Sequence, residues 1–333
     1  MNSAELTESL RKTNFSDRAA TVIGYGNMGR QFVKALQALG VKRIRVCTQG
    51  SEGLTELATQ GVGIFPGGYE HWSAAALPDE LVILALPILK LIDAAKFAVS
   101  HGFRKLLIEK PVSLWASKIG ELKSELESMK VDAVCGYNRV AYPSFIEARS
   151  RSSMEEGITS CSYTFTEFIS KLNPRNYQPE EMERWGIANS LHVMAMAHGL
   201  VGLPGDWHGF RTGSTVAWHP SGSVFVGSGL SESHIPFVYH ADWGSTGRWS
   251  IEVNTAVSSY RLCPLERLFR KTIPTADWEE VPVSTFAPDV KVGFAEQVAA
   301  MLDDNIRNAI PLVSLNATWR LTRFAEEIFG YSV

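Results

Sequence analysis

Ala19-Ala20-Thr21-Val22-Ile23-Gly24-Tyr25-Gly26-Asn27-Met28-Gly29 is the stretch that decides the fold. Its first five residues form a short apolar run with β-branched side chains, the pattern of a buried strand. Gly24 ends that run. From Asn27 onward Met28, Phe32, Val33, Leu36 and Leu39 fall at helical spacing until Gly40 stops the helix. Between strand and helix stands G-x-G-x-x-G. That placement suits a dinucleotide: Gly24 allows the tight turn, Gly26 lets the backbone approach a pyrophosphate, and Gly29 lets helix and strand pack closely. Free N–H groups at the helix start then face the anion. Tyr25, Asn27 and Met28 ride on the same turn and are candidate cofactor contacts.

Outward from this turn, strands are expected at 41–48, 62–65, 81–86, 106–109 and 131–137. Helices are expected at 52–60, 88–100 and 117–130. Strands alternating with helices predict βαβ units and a doubly wound parallel sheet of the Rossmann type. Residues 1–17 read as a loose arm with at most one short helix. The rhythm changes near Asn138. A helix at 143–150 and a long alternating strand at 157–169 come next, then an irregular loop at 171–188 and a helix at 189–201. Strands at 216–219, 224–229, 235–243, 248–253 and 258–263 read as a mostly antiparallel, open-faced sheet. Helices at 293–307 and 314–329 close the chain. The expectation is a dinucleotide-binding domain over 1–137 and an α+β domain for substrate binding and oligomerisation over 138–333.

Composition bounds the function. The 333 residues carry 32 Lys and Arg against 35 Asp and Glu, a formal charge of −3. Phosphate binding at nucleic acids needs a basic surplus, so nucleic acid is excluded as the main partner. No apolar run approaches the ~20 residues of a membrane helix. The N-terminal residues lack the apolar core of a secretory signal. Four cysteines, Cys47, Cys135, Cys161 and Cys263, are scattered without a C-x-x-C pair, so neither a zinc site nor a disulfide framework is expected. A cytoplasmic protein without a metal follows from these features. Seven of the nine tryptophans and six of the eight histidines lie after residue 180, so the two halves differ in chemical character.

The end of the second strand bears on the choice of dinucleotide. NAD usually meets an acid there that bonds the ribose 2′-hydroxyl. Here the stretch is Cys47-Thr48-Gln49-Gly50-Ser51, with Glu52 a few residues late. An acid repels a 2′-phosphate, whereas Thr48 and Ser51 can hydrogen-bond it. The reading leans to NADP over NAD.

Four motifs stand in order: the Gly24–Gly29 turn, Leu84-Ala85-Leu86-Pro87, Glu109-Lys110-Pro111, and Gly136-Tyr137-Asn138-Arg139 with Pro143. In this arrangement the chain resembles the Gfo/Idh/MocA family of NAD(P)-dependent oxidoreductases, the relatives of glucose-fructose oxidoreductase and inositol dehydrogenase. The resemblance is strong over 19–147 and continues more weakly to the final helix. It implies a nucleotide-binding domain followed by an open-faced domain whose sheet often makes homodimers or homotetramers. It makes Lys110 the active-site lysine and sets Leu86, Pro87, Glu109 and Lys110 beside the cofactor. An ammonium there can hydrogen-bond the reacting oxygen and stabilise a developing alkoxide.

The resemblance also implies a helix that begins with Asp and carries His four residues later. The matching stretch is Trp185-Gly186-Ile187-Ala188-Asn189-Ser190-Leu191-His192. His192 matches the histidine, and its ordinary pKa near neutrality suits it to take the hydroxyl proton. The aspartate position is Ala188. Either Lys110 and His192 suffice alone, or Tyr163, Glu167 or Tyr177 stands in, or the chain belongs to a subgroup with altered chemistry. His198 is read as packing. In the preceding loop Lys171, Arg175 and Arg184, with Tyr177, can clamp a carboxylate or a nucleotide diphosphate. Glu180, Glu181 and Glu183 oppose that charge. Asn138, Arg139 and Asn189 complete the candidate substrate contacts. Trp185, Trp243 and Trp249 either cover a sugar face or pack in core and interface. The expected activity is hydride transfer between nicotinamide and a secondary hydroxyl or ketone of a sugar, nucleotide sugar or cyclitol. The alternatives are a bound cofactor recycled through an oxidise–eliminate or hydrolyse–reduce cycle, and a non-catalytic nucleotide sensor.

Overall fold

The computed structural model describes residues 1–50, 54–72, 77, 79–273 and 277–332. The N-terminal residues are a capped helix, α1 (Ser3–Lys12), rather than a loose arm. The Asn2 side chain accepts the Glu5 N–H at 2.9 Å, and Glu5 returns the bond to the Asn2 N–H, a reciprocal cap. Leu6 and Leu10 are buried, and the Ser3 hydroxyl donates to Glu147 at 2.8 Å, so the helix is docked on the second half of the chain.

The expected alternation then follows: β1 (Ala19–Ile23), α2 (Asn27–Ala38), β2 (Arg43–Thr48), α3 (Thr55–Thr59), β3 (Gly63–Pro66), β4 (Leu81–Leu84), α4 (Leu91–Ser100), β5 (Lys105–Ile108), α5 (Ala116–Ser128) and β6 (Asp132–Cys135). These strands lie parallel in the order β3-β2-β1-β4-β5-β6. Every residue of β1 and β4 is buried, as a sheet covered on both faces requires. The strand order reverses between β1 and β4, and in such sheets the ligand crevice opens beyond the carboxyl ends at that reversal.

Pro143 at its first turn starts α6 (Pro143–Met154). The second sheet begins with β7 (Ser160–Thr164), much shorter than the alternating stretch 157–169 suggests. After α7 (Pro179–Glu183), a π-helical turn at Gly186–Ser190 runs into α8 (Leu191–Val201). The sheet continues with β8 (Pro204–Thr212), β9 (Val224–Ser231), β10 (Pro236–Asp242), β11 (Ser250–Asn254), β12 (Ser258–Leu262), β13 (Leu268–Thr272) and β14 (Glu279–Val281). Its order is β14-β13-β12-β11-β7-β10-β9-β8, antiparallel except where β7 pairs β10. The expected strand at 216–219 is absent; the true edge strand is β8. Its largely exposed, Gly-containing sequence shows no alternation, which is how an edge strand escapes detection. The predicted helix at 293–307 is two, α9 (Phe294–Leu302) and α10 (Asp304–Ala309), because Asp303 turns to extended backbone and caps the second. β15 (Val313–Ser314) then pairs antiparallel with β6, and α11 (Leu315–Phe329) packs between the sheets' helices. The fold class is therefore the expected one: a parallel Rossmann-like sheet plus a large, mostly antiparallel sheet. No helix among the described residues is long and apolar enough to cross a membrane.

One face of the second sheet buries Tyr163, Phe225, Phe237, Tyr239 and Trp243 beneath α8 and α11. His198 on α8 sits in this core, with Nδ1 2.9 Å from the Gly202 carbonyl and Nε2 3.3 Å from the Tyr163 hydroxyl. Burial disfavours its imidazolium and pushes its pKa down to about 4. Burial also lowers His192 and His219. Below the ordinary value of 6.5 the unfolded chain takes up protons that these folded histidines refuse, so their contribution to stability falls as pH falls from 6.5 toward 4. Burial raises Glu109, Glu167 and Glu296, which act in the opposite sense, so His198 is read by difference: the urea-unfolding stability of the unaltered protein relative to His198→Gln should fall by about 1.5 kcal/mol between pH 6.5 and 5. A difference that does not change with pH would contradict its neutral burial.

Candidate active site

The glycine turn has the geometry its spacing requires. Gly24 has φ +96, and a Cβ there would meet the Ala85 carbonyl oxygen at 2.4 Å. A Cβ at residue 29 would lie 2.0 Å from the Gly24 oxygen, so only glycine lets α2 start this close to β1. At Gly26 a Cβ would meet nothing within 4 Å, leaving open space above the turn. Gly26 also caps α2 without a side chain, so the first-turn N–H groups of Asn27, Met28 and Gly29 are available to an anion. A pocket of about 290 Å³ opens here, lined by Gly24, Tyr25, Gly26, Thr48, Leu86 and Pro87 among the expected residues. Ser51 lies outside the described residues. Glu70 and Lys90 also line the pocket, and neither was read from the sequence. The Gly68 N–H bonds the Thr48 carbonyl at 3.0 Å, which brings the Gly68–Glu70 turn to the end of β2. These features fit a dinucleotide.

Glu109 and Lys110 follow β5, and the Lys110–Pro111 peptide is cis. The Lys110 backbone N–H donates to the Glu109 carboxylate at 2.9 Å, while its ammonium donates to the Ala188 carbonyl oxygen at 2.7 Å. Burial lowers the Lys110 pKa; Glu109 opposes this, and Arg139 and Lys291 reinforce it. Burial raises Glu109, against the charges of Lys110 and Lys291.

The turn that supplies Ala188 is fixed from beneath. A Cβ at Gly186 would strike the Phe329 ring at 2.2 Å, and the Gly186 N–H donates to the Tyr331 hydroxyl at 2.9 Å. Arg184 is buried and pairs with Glu326 at 2.6 Å, so it is a brace and not a substrate clamp. His192, one turn further, is 8% exposed between the rings of Tyr137 and Trp249. Its Nδ1 has no partner among the described residues. Burial and the nearby charges of Arg139, Lys110 and Lys291 hold its pKa well below 6.5, so the neutral imidazole is the stable form. Glu167 is 7% exposed and accepts the Ser190 hydroxyl at 2.6 Å and the Asn189 amide at 2.8 Å.

A second cavity, about 440 Å³, lies over this turn. Arg139, Glu167, Tyr177, Trp185, Asn189 and Trp249 line it, together with Lys171 and Arg248. The Arg139 guanidinium stands 4.8 Å from the Trp249 ring centre. Arg139, Tyr177 and Asn189 are thus gathered as expected. Other expected contacts are elsewhere. Tyr163 is fully buried against His198 in the core. Asn138 is buried and its amide donates to the Val292 carbonyl at 2.8 Å, anchoring the loop that carries Lys291. Arg175 is exposed on a short turn and lines neither cavity. Trp243 is core. Lys291 and Arg248 sit in irregular segments, where no periodicity marks a residue as facing a cleft. Among the described residues no group of three or more His, Cys, Asp or Glu could hold a metal ion.

Residues 20–109 match the family described as NADP oxidoreductase, coenzyme F420-dependent. No curated protein sequence matches the chain. Solved structures align over nearly the whole length. UDP-N-acetylglucosamine 3-dehydrogenase GnnA from Acidithiobacillus ferrooxidans has a TM-score of 0.67 at 14% identity, covering 94% of this chain and 97% of that one. Levoglucosan dehydrogenase, in complex with NADH, has a TM-score of 0.71 at 14% identity, covering 94% and 96%. A super-repressor mutant of Gal80p from Saccharomyces cerevisiae has a TM-score of 0.71 at 10% identity, covering 94% and 95%. Residues 20–109 thus match an oxidoreductase family, and nearly the whole chain shares the fold of these structures, a parallel Rossmann-like sheet followed by a large, mostly antiparallel one.

Because the Gly26 Cβ position is empty, Gly26→Val should keep the ligand-free thermal midpoint near that of the unaltered protein. The same change should remove the rise in midpoint that NADH or NADPH produces. An undiminished rise would place the dinucleotide elsewhere.

Proposed function

We propose that this protein transfers hydride between nicotinamide and a secondary hydroxyl or ketone carbon of a sugar, nucleotide sugar or cyclitol. The observation that carries the reading is Lys110: a half-buried ammonium beyond the carboxyl ends of the strands, fixed on Ala188, whose neighbour Asn189 lines a cavity with aromatic walls. Bound nicotinamide would supply the hydride acceptor or donor. Lys110 has three N–H donors and uses one on Ala188, leaving others for the substrate oxygen. That contact strengthens as negative charge develops on the oxygen. Neutral His192 offers one donor and one acceptor nitrogen to orient the substrate hydroxyl. Trp185, Tyr177 and Trp249 supply apolar faces for a sugar ring.

The coenzyme is a nicotinamide dinucleotide, and the pocket favours NAD. The sequence stretch 47–51 lacks an acid, but Glu70 brings a carboxylate to the same place from the Gly68 turn. A carboxylate repels a 2′-phosphate and accepts ribose hydroxyls. In functional terms residues 1–137 hold the cofactor in this reading, and 138–333 shape the substrate site, with Lys291 reaching back to within 3.5 Å of the Met28 sulfur. The protein acts in the cytoplasm as a homo-oligomer. Its outer sheet face exposes Phe210, Val226, Leu230 and Val238 in three adjacent strands, a surface suited to a second copy of the chain. Sedimentation should show a dimer or larger, and Val238→Lys should shift it toward monomer.

A thermal-shift comparison of NADH with NADPH, each alone and then with nucleotide sugars and acidic sugars, identifies coenzyme and substrate class. With that substrate, Lys110→Met should lower kcat by ~10² or more at similar coenzyme affinity. Near-normal turnover in that variant would remove Lys110 from the chemistry.

A further inference from the structure

Position 188 has no carboxylate, and the groups that remain around the substrate cavity are poor proton stores. Lys110 is needed as a donor to the reacting oxygen. His192 is buried, with the charges of Arg139, Lys110 and Lys291 nearby, and resists protonation. A proton leaving a substrate hydroxyl needs another acceptor.

Glu167 meets the geometric requirements. It follows β7, where the expected long strand breaks off and the chain turns into the cavity. Each carboxylate oxygen accepts one side-chain bond, Oε1 from Ser190 and Oε2 from Asn189, the two residues next after Ala188. The carboxylate is thereby locked to the same π-helical turn whose Ala188 carbonyl holds the Lys110 ammonium. Both fixing donors are neutral, and Glu167 makes no ion pair among the described residues. Burying a carboxylate without a cation in contact is costly, and a mere staple for a turn would not require the charge.

We propose that Glu167 is the acid–base group of the reaction, taking the place of the carboxylate absent at Ala188. This rests on the oxidoreductase reading above. In the oxidative direction the substrate C–H bond breaks with its electron pair passing to the oxidised nicotinamide ring. The O–H bond breaks, its pair forms the carbonyl, and the proton ends on the Glu167 carboxylate. In the reductive direction Glu167 returns that proton to the forming hydroxyl. Lys110 remains protonated throughout as the donor to the oxygen.

The surroundings agree with this role. Burial pushes Glu167 up to about 7, against the hydrogen bonds of Ser190 and Asn189 and the charge of Lys110. The other charged or titratable groups facing it are Arg139 after β6, Lys171 and Arg248 on the cavity rim, Glu266 after β12, and the Tyr177 and Tyr331 hydroxyls. A group that exchanges its proton near neutral pH can serve both directions.

The test is Glu167→Gln, with Glu167→Asp beside it. Gln keeps the size and can still bond Ser190 and Asn189, so a purely structural role predicts normal turnover. The acid–base role predicts a fall in kcat of ~10² or more with coenzyme affinity retained, and loss of the rise in oxidation rate through pH ~7. Asp, which keeps the carboxylate, should retain a pH-dependent limb. A readout without substrate is the infrared carboxylic-acid band of the unliganded protein, titrated across neutral pH. Because burial also raises Glu109 and Glu296, it is read as a difference: the unaltered protein minus the Gln variant should leave one such band that titrates near neutral pH. Normal turnover with an unchanged pH profile in the Gln variant would overturn the proposal, as would the absence of that band. If the unaltered protein turns over no nicotinamide with any substrate although the band is present, the oxidoreductase reading is what fails, and the acid–base role falls with it.

Discussion

The bond from the Lys110 ammonium to the Ala188 carbonyl, 2.7 Å long, is the contact around which the rest is arranged. It joins the carboxyl end of β5 in the first sheet to the π-helical turn that opens α8 over the second. A half-buried ammonium needs an oxygen within reach, and the Ala188 carbonyl supplies it. The braces beneath that turn, Gly186 against Phe329 and Arg184 paired with Glu326, keep the oxygen in place.

The charge pattern follows from that placement. Lys110, Arg139 and Lys291 gather around one cleft, while Glu109 and Glu167 lie buried beside them. Burial first, and then positive charge, keeps His192 neutral and makes Lys110 a more acidic donor, both by favouring the less charged form. In the proposed reading the same field draws anionic groups, the pyrophosphate on one side and an electron-rich substrate oxygen on the other. A chain whose charges nearly balance overall can therefore bind an anionic coenzyme, since local placement and backbone N–H groups do the binding. Gal80p shows that a repressor can share this fold, so the proposed activity rests on the side chains in the cleft and not on the architecture.

Much of the first half was legible in the sequence because its signals are local. Each buried parallel strand is a short apolar run, each helix has a period, and the glycine turn states its own backbone requirement. The second half was read less fully. β8, β13 and β14 lie at or near sheet edges and alternate poorly, and the break after Thr164 that turns Glu167 inward leaves no mark on the apolar pattern. Among candidate site residues, Arg139, Tyr177 and Asn189 do line the cavity, while Tyr163 and Asn138 are consumed in packing. Both outcomes look the same in one dimension, because a polar side chain near a motif can point to a ligand or to a neighbouring carbonyl.

The sequence by itself determined the alternation of strands and helices in the first half, the glycine turn, the lysine after β5 and the change of architecture near residue 138. These depend on periodicity and on glycine's freedom, which neighbours along the chain express. Only the tertiary structure decided that Glu70 restores a carboxylate to the end of β2, that Lys291 crosses to the nucleotide turn, and that Glu167 meets the π-turn of Lys110. Those juxtapositions join residues distant in the chain. Their energies come from burial and from charges in low dielectric, which exist only once the two sheets and their helices have closed around the cleft.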